Sequence, residues 1–511
     1  MADEKRLSSD SPKGEVQHGE VKPADTHAVA ERGHAATDDH GNAIIQFDPK
    51  AEAKLRRKID LCIVPTVSLL YLFCFIDRAN IGNARIAGLE KDLGLKGYDY
   101  NALLSIFYIS YILFEIPSNI ACKWIGPGWF IPAISLGFGA ISVITAFVDN
   151  FAQAAGVRFL LGAFEAGVLP GVAYYLSRWY RRSELTFRLG LYIVMAPMAG
   201  AFGGLLASAI LTLDHFGSLH GWRMIFAIEG IITIGLAVIS FFTLTDRPET
   251  ARWLTQEEKD LAVARVKSER VATTEVLDRM DIKKLLQGML SPVTLSTAFL
   301  FLLNNITVQG LAFFAPTIVR TIYPDKTTVM QQLYTVPPYV VGGFFTLLLP
   351  LISWKLDRRQ IFLILTTPLI IAGYSIFLGT TNSTARYAAT FLLSSSLFAV
   401  GPLANSQVSA NVVSDTARSS AIGLTVMMGN VGGLVSTWSY VPHDAPDYHI
   451  GNGLNLACCT AVLIVATATY FWMKRDNERR EARNPEEELA GMTQQEVQDL
   501  DWRHPAFRWK P

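Results

Sequence analysis

The sequence predicts an all-α membrane protein, with twelve transmembrane helices arranged as two pseudo-symmetric halves of six. Half of its 511 residues are hydrophobic, only 18% are charged, and the mean hydropathy is +0.27. Soluble domains carry about 25% charged residues, so this chain departs from the soluble norm. It also contains many apolar segments of about 20 residues, the length that a helix needs to cross the hydrocarbon core of a bilayer.

Twelve apolar segments follow one another along the chain. A single segment of this kind would also fit a buried helix of a soluble core, but twelve in succession favour membrane spans. Their predicted positions are 61–83, 102–123, 128–148, 153–176, 189–212, 223–244, 292–315, 331–354, 360–380, 386–408, 419–440 and 452–473.

The charged residues are concentrated outside these segments. Residues 1–60, 245–290 and 474–511 hold 57 of the 90 charges, and the other 367 residues hold 33. The chain has 45 Lys and Arg against 45 Asp and Glu, so its formal net charge is zero. A nucleic-acid binder needs a net basic face. We therefore predict the lipid bilayer as a partner and no nucleic acid.

Charge placement divides the chain into five parts. We predict a disordered cytoplasmic tail over 1–58, helical bundles over 59–244 and 292–473, a cytoplasmic linker over 245–291 and a cytoplasmic tail over 474–511. Lys and Arg are more frequent in the flanks on the side of the termini, which places both termini in the cytoplasm by the positive-inside rule. The charges of the linker alternate in sign at helical spacing, which is typical of a solvated amphipathic connector.

Ionisable residues inside membrane spans are costly and are therefore functional candidates. The first span ends in a polar stretch that contains Asp77, Arg78 and Asn80. Arg78 is either a cavity residue or an interfacial residue that extends to the lipid headgroups. In the second span, Glu115 and Asn119 share a helix face. A structural hydrogen bond and a transport role fit Glu115 equally well.

The fourth span carries the most informative pair. Arg158 and Glu165 are seven residues apart and share a face, with Gly162 between them. Because this span runs opposite to the first, Arg158 and Arg78 reach a similar depth. Guanidinium groups bind carboxylates in a bidentate manner, and a carboxyl in low dielectric favours its neutral form, which suits a proton carrier. A closed Arg158–Glu165 ion pair that holds the fold is the alternative, and protonation during transport would reconcile the two.

Amides replace charges in the second half. Asn305 and Gln309 share a face in span seven, and span ten contains Asn405, Gln407 and Asn411. Interhelical hydrogen bonding is the commoner use of such amides. Contact of spans seven and ten with a ligand is the alternative.

The remaining ionisable and sulfur-containing residues form no pattern of a catalytic or metal-binding site. Glu229 lies near the outer third of the sixth span, where we expect a structural partner. The five cysteines form no CxxC pair and have no histidine at metal-ligand spacing. The sequence shows no nucleophile–base pair, metal cluster or phosphate-binding loop. We predict that the protein is not an enzyme and binds no cofactor or metal.

Several polar stretches together resemble the major facilitator superfamily and, within it, the fungal allantoate permease family of anion:cation symporters. The resemblance covers about 58–474. Known members of that family take up nicotinate, allantoate, pantothenate, biotin and related small carboxylates. The matching stretches are 75–84, 115–119, 158–171, 221–223 with 229–230, 444–448 before Gly451, and 504–508.

The resemblance implies roles for three residues. In the wider symporter group, one arginine of the first helix and one of the fourth line the substrate cavity, and a glutamate seven residues after the second arginine takes part in proton coupling. These roles fall on Arg78, Arg158 and Glu165. The chain departs from the superfamily at 123–129, where the loop between helices two and three lacks the usual acid. The gating interaction of that loop therefore differs here, and Lys123 serves another purpose.

We therefore expect a proton-coupled importer of a small organic anion, nicotinate-like or allantoate-like, that is monomeric and resides in a plasma membrane. An exporter of a small metabolite and a nutrient sensor that does not transport are the alternatives. The expected site comprises Arg78, Arg158, Asn305, Gln309 and Asn405 for substrate binding, Glu165 and Asp77 for proton coupling, and Glu115, Glu229 and Asn80 for structure or gating.

Overall fold

The computed structural model describes residues 48–213, 215–268, 282–412, 415–482, 484–489, 491–492 and 500–511. In this part of the chain the protein is all-helical and forms no β-strand. Eleven helices are long and apolar enough to cross a membrane, and a shorter apolar helix covers Ser420–Ser436. The predicted all-α membrane class is confirmed, and the count agrees with twelve predicted spans.

Six spans precede the linker and six follow it. The first six are span 1 (Pro49–Ala84), span 2 (Asp99–Ile125), span 3 (Pro127–Thr145), span 4 (Phe151–Trp179), span 5 (Arg182–Ile193 and Met195–Ile210) and span 6 (Trp222–Thr243). The last six are span 7 (Pro292–Ile322), span 8 (Thr328–Leu356), span 9 (Gln360–Gly379), span 10 (Ser383–Ala410), span 11 (Asp415–Ser436) and span 12 (His449–Glu481).

Spans 1 to 6 pack mainly on one another, and so do spans 7 to 12. The two halves meet where span 1 contacts span 7, span 2 contacts span 11, and span 5 contacts span 8. Small residues allow the closest approaches: a Cβ at Gly82 would collide with the Phe313 carbonyl across the halves, and one at Gly162 with the Phe107 carbonyl of span 2. The boundaries of the two predicted bundles, 59–244 and 292–473, stay a prediction.

The first helix begins earlier than the sequence indicated. Its first residue is Pro49, and the Asp48 side chain caps it by accepting a hydrogen bond from the Lys50 amide at 3.1 Å. Proline suits a first turn, where its missing N–H has no intrahelical partner. The predicted disordered tail over 1–58 is therefore wrong for 49–58, while residues 1–47 lie outside the described residues.

The linker is solvated on one face, while its other face packs on the first half, a contact that its charge pattern did not predict. Its helix Gln256–Ser268 packs on the first half through Arg265, whose side chain is only 2% exposed. The Arg265 guanidinium donates to the Glu52 carboxylate at 3.1 Å and to the Glu184 carboxylate at 2.6 Å. The alternating charges thus pair with the bundle, which a pattern in one helix does not reveal. Residues 269–281 lie outside the described part.

The end of the chain packs on the second half. The Trp509 side chain is buried, and the Lys510 carbonyl accepts hydrogen bonds from the Gln407 and Asn411 amides of span 10, at 3.0 and 3.1 Å. These two amides therefore hold residues 500–511 against the bundle. In this structure they serve packing, which is the commoner of the two uses that the sequence allowed.

We predict that Arg265→Met lowers the free energy of unfolding by about 2 kcal/mol, because the substitution removes charge-assisted hydrogen bonds to Glu52 and Glu184. Thermal unfolding of the detergent-solubilised protein measures the change. The control is Arg252→Met, which alters an exposed residue of the same linker and should change the stability by less than about 0.5 kcal/mol. Equal effects of the two substitutions would contradict the docked linker.

Candidate functional site

A buried ion pair joins spans 1 and 4 inside the first half. Arg78 Nη2 and Nε donate to Glu165 Oε2 at 3.0 and 3.2 Å, and the two side chains are 6% and 0% exposed. Gly162, one turn before Glu165, lets span 4 approach span 2 closely. The structure thus brings together Arg78 and Glu165, two of the three residues to which the sequence resemblance assigned a role. It does not form the alternative Arg158–Glu165 pair.

Three aromatic rings surround the Arg78 guanidinium. Its central carbon lies 4.7 Å from the Phe75 ring centroid and 5.1 Å from those of Phe107 and Tyr111. Aromatic faces attract cations through the ring quadrupole, so these rings stabilise the charge where water is scarce. These rings were not predicted from the sequence. One available signal was the position of Phe75, one helical turn before Arg78. The other was the four-residue spacing of Phe107 and Tyr111 on one face of span 2.

Arg158 is buried next to this pair but has a different environment. Its side chain is 4% exposed, and its central guanidinium carbon lies 5.6 Å from the Phe226 ring centroid. Among the described residues, Arg158 Nη2 has no hydrogen-bond acceptor and Glu165 Oε1 has no donor. A buried charge that lacks hydrogen bonds is costly. Arg158 is therefore the group of this site that is best prepared to bind an anion.

Asp77 and Asn80 face other neighbours than Glu165. The Ser142 hydroxyl of span 3 donates to Asp77 Oδ1 at 2.8 Å. The side-chain oxygen Oδ1 of Asn80 accepts a hydrogen bond from Nδ2 of Asn83 at 3.2 Å, within the same helix. Asp77 is thus tied to span 3, and Asn80 stabilises the polar end of span 1.

Glu115 connects the two halves through a hydrogen bond. A structural hydrogen bond was one of the two roles that the sequence allowed for it. Its Oε2 accepts a hydrogen bond from the Asn430 amide of span 11 at 3.0 Å. The sequence contains little indication of this partner, because Asn430 lies among small residues whose spacing indicates only close helix packing. This contact is structural, and it lies between the middle of span 2 and the end of that helix nearer the chain termini.

Further hydrogen bonds between the halves cluster at the end away from the termini. The Asn101 amide donates to the Thr437 carbonyl at 2.6 Å, and the Ser105 and Thr437 hydroxyls are 2.7 Å apart. Tyr98 and His443 are joined at 3.1 Å between loops of the two halves. The two halves are therefore closed against each other on this side.

The predicted amides of the second half divide between packing and a cavity. The Asn305 amide donates to the Phe301 carbonyl of its own helix at 2.9 Å and packs against Gly429 and Gly432 of span 11. Asn305 therefore makes packing contacts in this state, and its predicted role in substrate binding stays a prediction. Asn405 is partly exposed, and its Oδ1 has no hydrogen-bond donor among the described residues.

Gln309 lines a small cavity between the halves. The cavity has a volume of about 40 Å³, which suits water better than a carboxylate substrate. Spans 1, 5, 7 and 8 supply most of its lining. Phe75 belongs both to this lining and to the rings around Arg78, so the cavity adjoins the buried ion pair. Other lining residues are Asn83, Thr335, Tyr339 and Phe398.

The loop between spans 2 and 3 obtains its missing acid from elsewhere. Asp246, just after span 6, lies against Gly126 and Gly128, and its Oδ1 accepts from Arg178 Nη1 at 3.0 Å. Gly126 has φ +96°, a conformation that favours glycine. Lys123 instead approaches the Tyr174 ring at 6.0 Å. The chain therefore keeps a carboxylate at this loop, although from a distant part of the sequence.

Comparison with known families explains this arrangement of helices. The sequence profile of the Major Facilitator Superfamily matches residues 67–437, well over half of the chain. The chain belongs to this superfamily. It is therefore a multi-pass membrane transporter, and the prediction that it is not an enzyme is confirmed.

Fungal relatives and solved structures agree with this assignment. The chain is 32% identical to an uncharacterized transporter of Schizosaccharomyces pombe, over 85% of this chain and 89% of the relative. It is 32% identical to the MFS-type transporter efuF of Hormonema carpetanum, over 94% and 97%. A bacterial homolog of the lysosomal transporter Spinster has a TM-score of 0.62 at 16% identity, over 84% and 97% of the two chains. That likeness shows the same fold.

We predict that Arg78 and Glu165 are energetically coupled and that Arg158 and Glu165 are not. A double-mutant cycle of Arg78→Met with Glu165→Gln should give a coupling of about 2 kcal/mol, because breaking a buried pair leaves one charge unpaired. The cycle of Arg158→Met with Glu165→Gln should give less than about 1 kcal/mol. Denaturant unfolding of the purified protein measures both, and the reverse order would show that Arg158 is the true partner.

Proposed function

We propose that this transporter carries a small organic anion together with protons, and that Arg158 is the first group to bind the anion. The observation that carries the proposal is a buried guanidinium with an unused donor beside a closed Arg78–Glu165 pair. A substrate carboxylate supplies the two acceptors that a guanidinium prefers. Asp77 and Glu165 are the carboxyls that take up protons in this scheme.

Competition for Arg78 gives a physical reason for proton coupling. Glu165 occupies both Nε and Nη2 of Arg78, which are the same donors that a bidentate substrate carboxylate needs. Protonation of Glu165 removes its charge and weakens this pair. Arg78 can then turn to the substrate while the surrounding rings stabilise its charge. Proton binding thus favours anion binding, and the reverse follows by linkage.

The contacts between the halves support alternating access. The bonds at Asn101, Ser105 and Tyr98 close the side away from the termini. With both termini in the cytoplasm, as the Lys and Arg bias indicates, this is the outer side of a plasma membrane. The state described here is then closed on its outer side, and rocking of a monomer about the span 2–span 11 contact would open and close the two sides in turn.

The residues beside the ion pair offer several kinds of contact to a carboxylate, although the cavity of about 40 Å³ must widen to admit one. Phe75 and Tyr339 offer rings along the cavity, and Asn83 and Gln309 offer amides. A carboxylate with hydrogen-bonding nitrogens would use the arginine and the amides, and a flat ring such as that of nicotinate would also use the aromatic rings. A nicotinate-like or allantoate-like acid is the class that we propose, in agreement with the resemblance to the allantoate permease family.

The substrate class is tested by uptake into proteoliposomes. A panel of labelled carboxylates, including nicotinate and allantoate, is offered with an inward proton gradient, and again with a protonophore. We expect accumulation of at least one small carboxylate that the protonophore abolishes. Accumulation of none, or of uncharged solutes only, would overturn the proposal. Outward transport of the same acids alone would identify an exporter.

We predict that Arg158→Gln lowers the efficiency of anion uptake about 100-fold, because a charge-assisted contact worth about 2.7 kcal/mol is lost. Initial uptake rates against substrate concentration provide the measurement. The control is Arg223→Gln, which removes an arginine that is paired with Asp149 at 3.0 Å at the end of span 6. The control should retain most of its uptake. An unchanged apparent affinity in Arg158→Gln would disprove the assignment of the binding group.

We predict that uptake in the wild type rises as the outer pH falls, since the anion binds after Glu165 is protonated. In Glu165→Gln the side chain is permanently neutral, so substrate exchange across the membrane should persist while the pH dependence disappears. Counterflow and gradient-driven uptake measure these two properties separately. Gradient-driven accumulation of wild-type size in Glu165→Gln would contradict the coupling role.

A further inference from the structure

Two more carboxyl groups are buried inside the first half, apart from the Arg78–Glu165 pair. Asp77 of span 1 is 1% exposed and Glu229 of span 6 is 0% exposed. Within the part of the chain that the structure describes, Asp77 Oδ2 and both oxygens of Glu229 lack a hydrogen-bond donor. The binding scheme proposed above makes no use of Glu229. We expected a structural partner for this residue, and the described residues supply no hydrogen bond to it.

Close helix packing brings span 6 against span 3 next to these groups. A Cβ at Gly230 would lie 2.8 Å from the Val143 nitrogen and 2.9 Å from the Gly139 carbonyl oxygen. A Cβ at Gly139 would lie 3.1 Å from the methyl group of Thr233. Both contacts lie just after Glu229 in the sequence, at Gly230 and Thr233, so spans 3 and 6 pack closely next to this residue.

Ser142 of span 3 connects this crossing to span 1. Its hydroxyl lies 2.8 Å from Asp77 Oδ1 and 3.4 Å from the Phe226 carbonyl of span 6. Glu229 and Thr233 lie three and seven residues after Phe226 and therefore share its helix face. The hydroxyl of Thr233 lies near the Asp77 carboxyl, although it forms no hydrogen bond of ordinary length among the described residues. Two carboxyls and two hydroxyls thus lie at the junction of spans 1, 3 and 6.

The charged neighbours of this junction are few. Span 1 contributes Asp77, span 3 contains no ionisable residue, and span 4 contributes Arg158, whose guanidinium lies over the Phe226 ring. Arg78, also on span 1, is already paired with Glu165, so Arg158 is the one cation that the described residues of spans 1, 3, 4 and 6 leave for the two carboxyls at this junction. An ionised carboxylate without a donor is unfavourable in low dielectric, and two carboxyls that share such a site do not both ionise. At least one of them therefore holds a proton in this state.

We infer that Asp77 and Glu229 form a second proton-binding site, in which Glu229 holds an exchangeable proton separate from the one on Glu165. The inference deepens the proposed function and rests on it for its role in transport. It implies that a monoanion moves with more than one proton, so that each cycle carries net positive charge. Arg158 would lie between this site and the bound anion, so its charge would interact with both.

Proton uptake by the purified protein without substrate tests the site directly. The protein in detergent is titrated from about pH 9 to about pH 5. This range lies above the ordinary glutamate pKa of about 4.3, so exposed glutamates stay ionised over most of it. We expect Glu229→Gln to take up about one proton fewer than the wild type. The control Glu257→Gln alters an exposed carboxyl of the linker helix and should not change the count.

Several outcomes would overturn the inference. An equal count in wild type and Glu229→Gln would show that Glu229 is neutral throughout and purely structural. Displacement of the proton by sodium chloride, but not by potassium chloride, would make the junction a sodium site instead. Glu229→Asp keeps a carboxyl and should restore the count.

If Glu229→Gln does not fold, Ser142→Ala keeps the inference testable. It removes a donor to Asp77 while leaving both carboxyls in place, and we expect the midpoint of the one-proton step to shift. An unchanged midpoint would contradict the shared site. These titrations need no substrate, so their failure leaves the role of Arg158 in anion uptake untouched, and a failed uptake assay leaves this site untouched.

Discussion

A charge buried among apolar helices must find a partner, because the surrounding medium cannot solvate it. The first half of this protein depends on that constraint. Arg78 satisfies it through Glu165 and three aromatic rings. Arg158 satisfies it only in part. Arg78 can exchange Glu165 for a substrate carboxylate, because both use the same donors. This exchange is what would link proton binding to anion binding.

The same constraint explains why the second half looks different. Its spans use amides and small residues, which hold helices together without needing a counter-charge. Asn430 reaches across to Glu115, and the end of the chain is fixed by amides of span 10. The second half thus provides a surface against which a charged first half can rock. The bonds that close one side are neutral and local, and they can break without exposing a buried charge.

The sequence predicted what depends on patterns within single helices. The number of spans, the similar depth of Arg78 and Arg158, and the shared helix face of Arg158 and Glu165 follow from the lengths of the apolar segments and the seven-residue spacing. It did not predict which arginine pairs with Glu165, because rotamers and the rings of span 2 decide that. Contacts between distant segments were also beyond it. Asp246 at the loop after span 2 and Arg265 against Glu184 are the clearest examples.

The most direct test is the pH dependence of nicotinate or allantoate binding to the purified protein, compared between wild type and Glu165→Gln. If Glu165 competes with the substrate for Arg78, the wild-type affinity rises as the pH falls, and the Glu165→Gln variant binds tightly at every pH. The same pH dependence in both proteins would contradict the account. It would show that the proton that favours anion binding resides elsewhere.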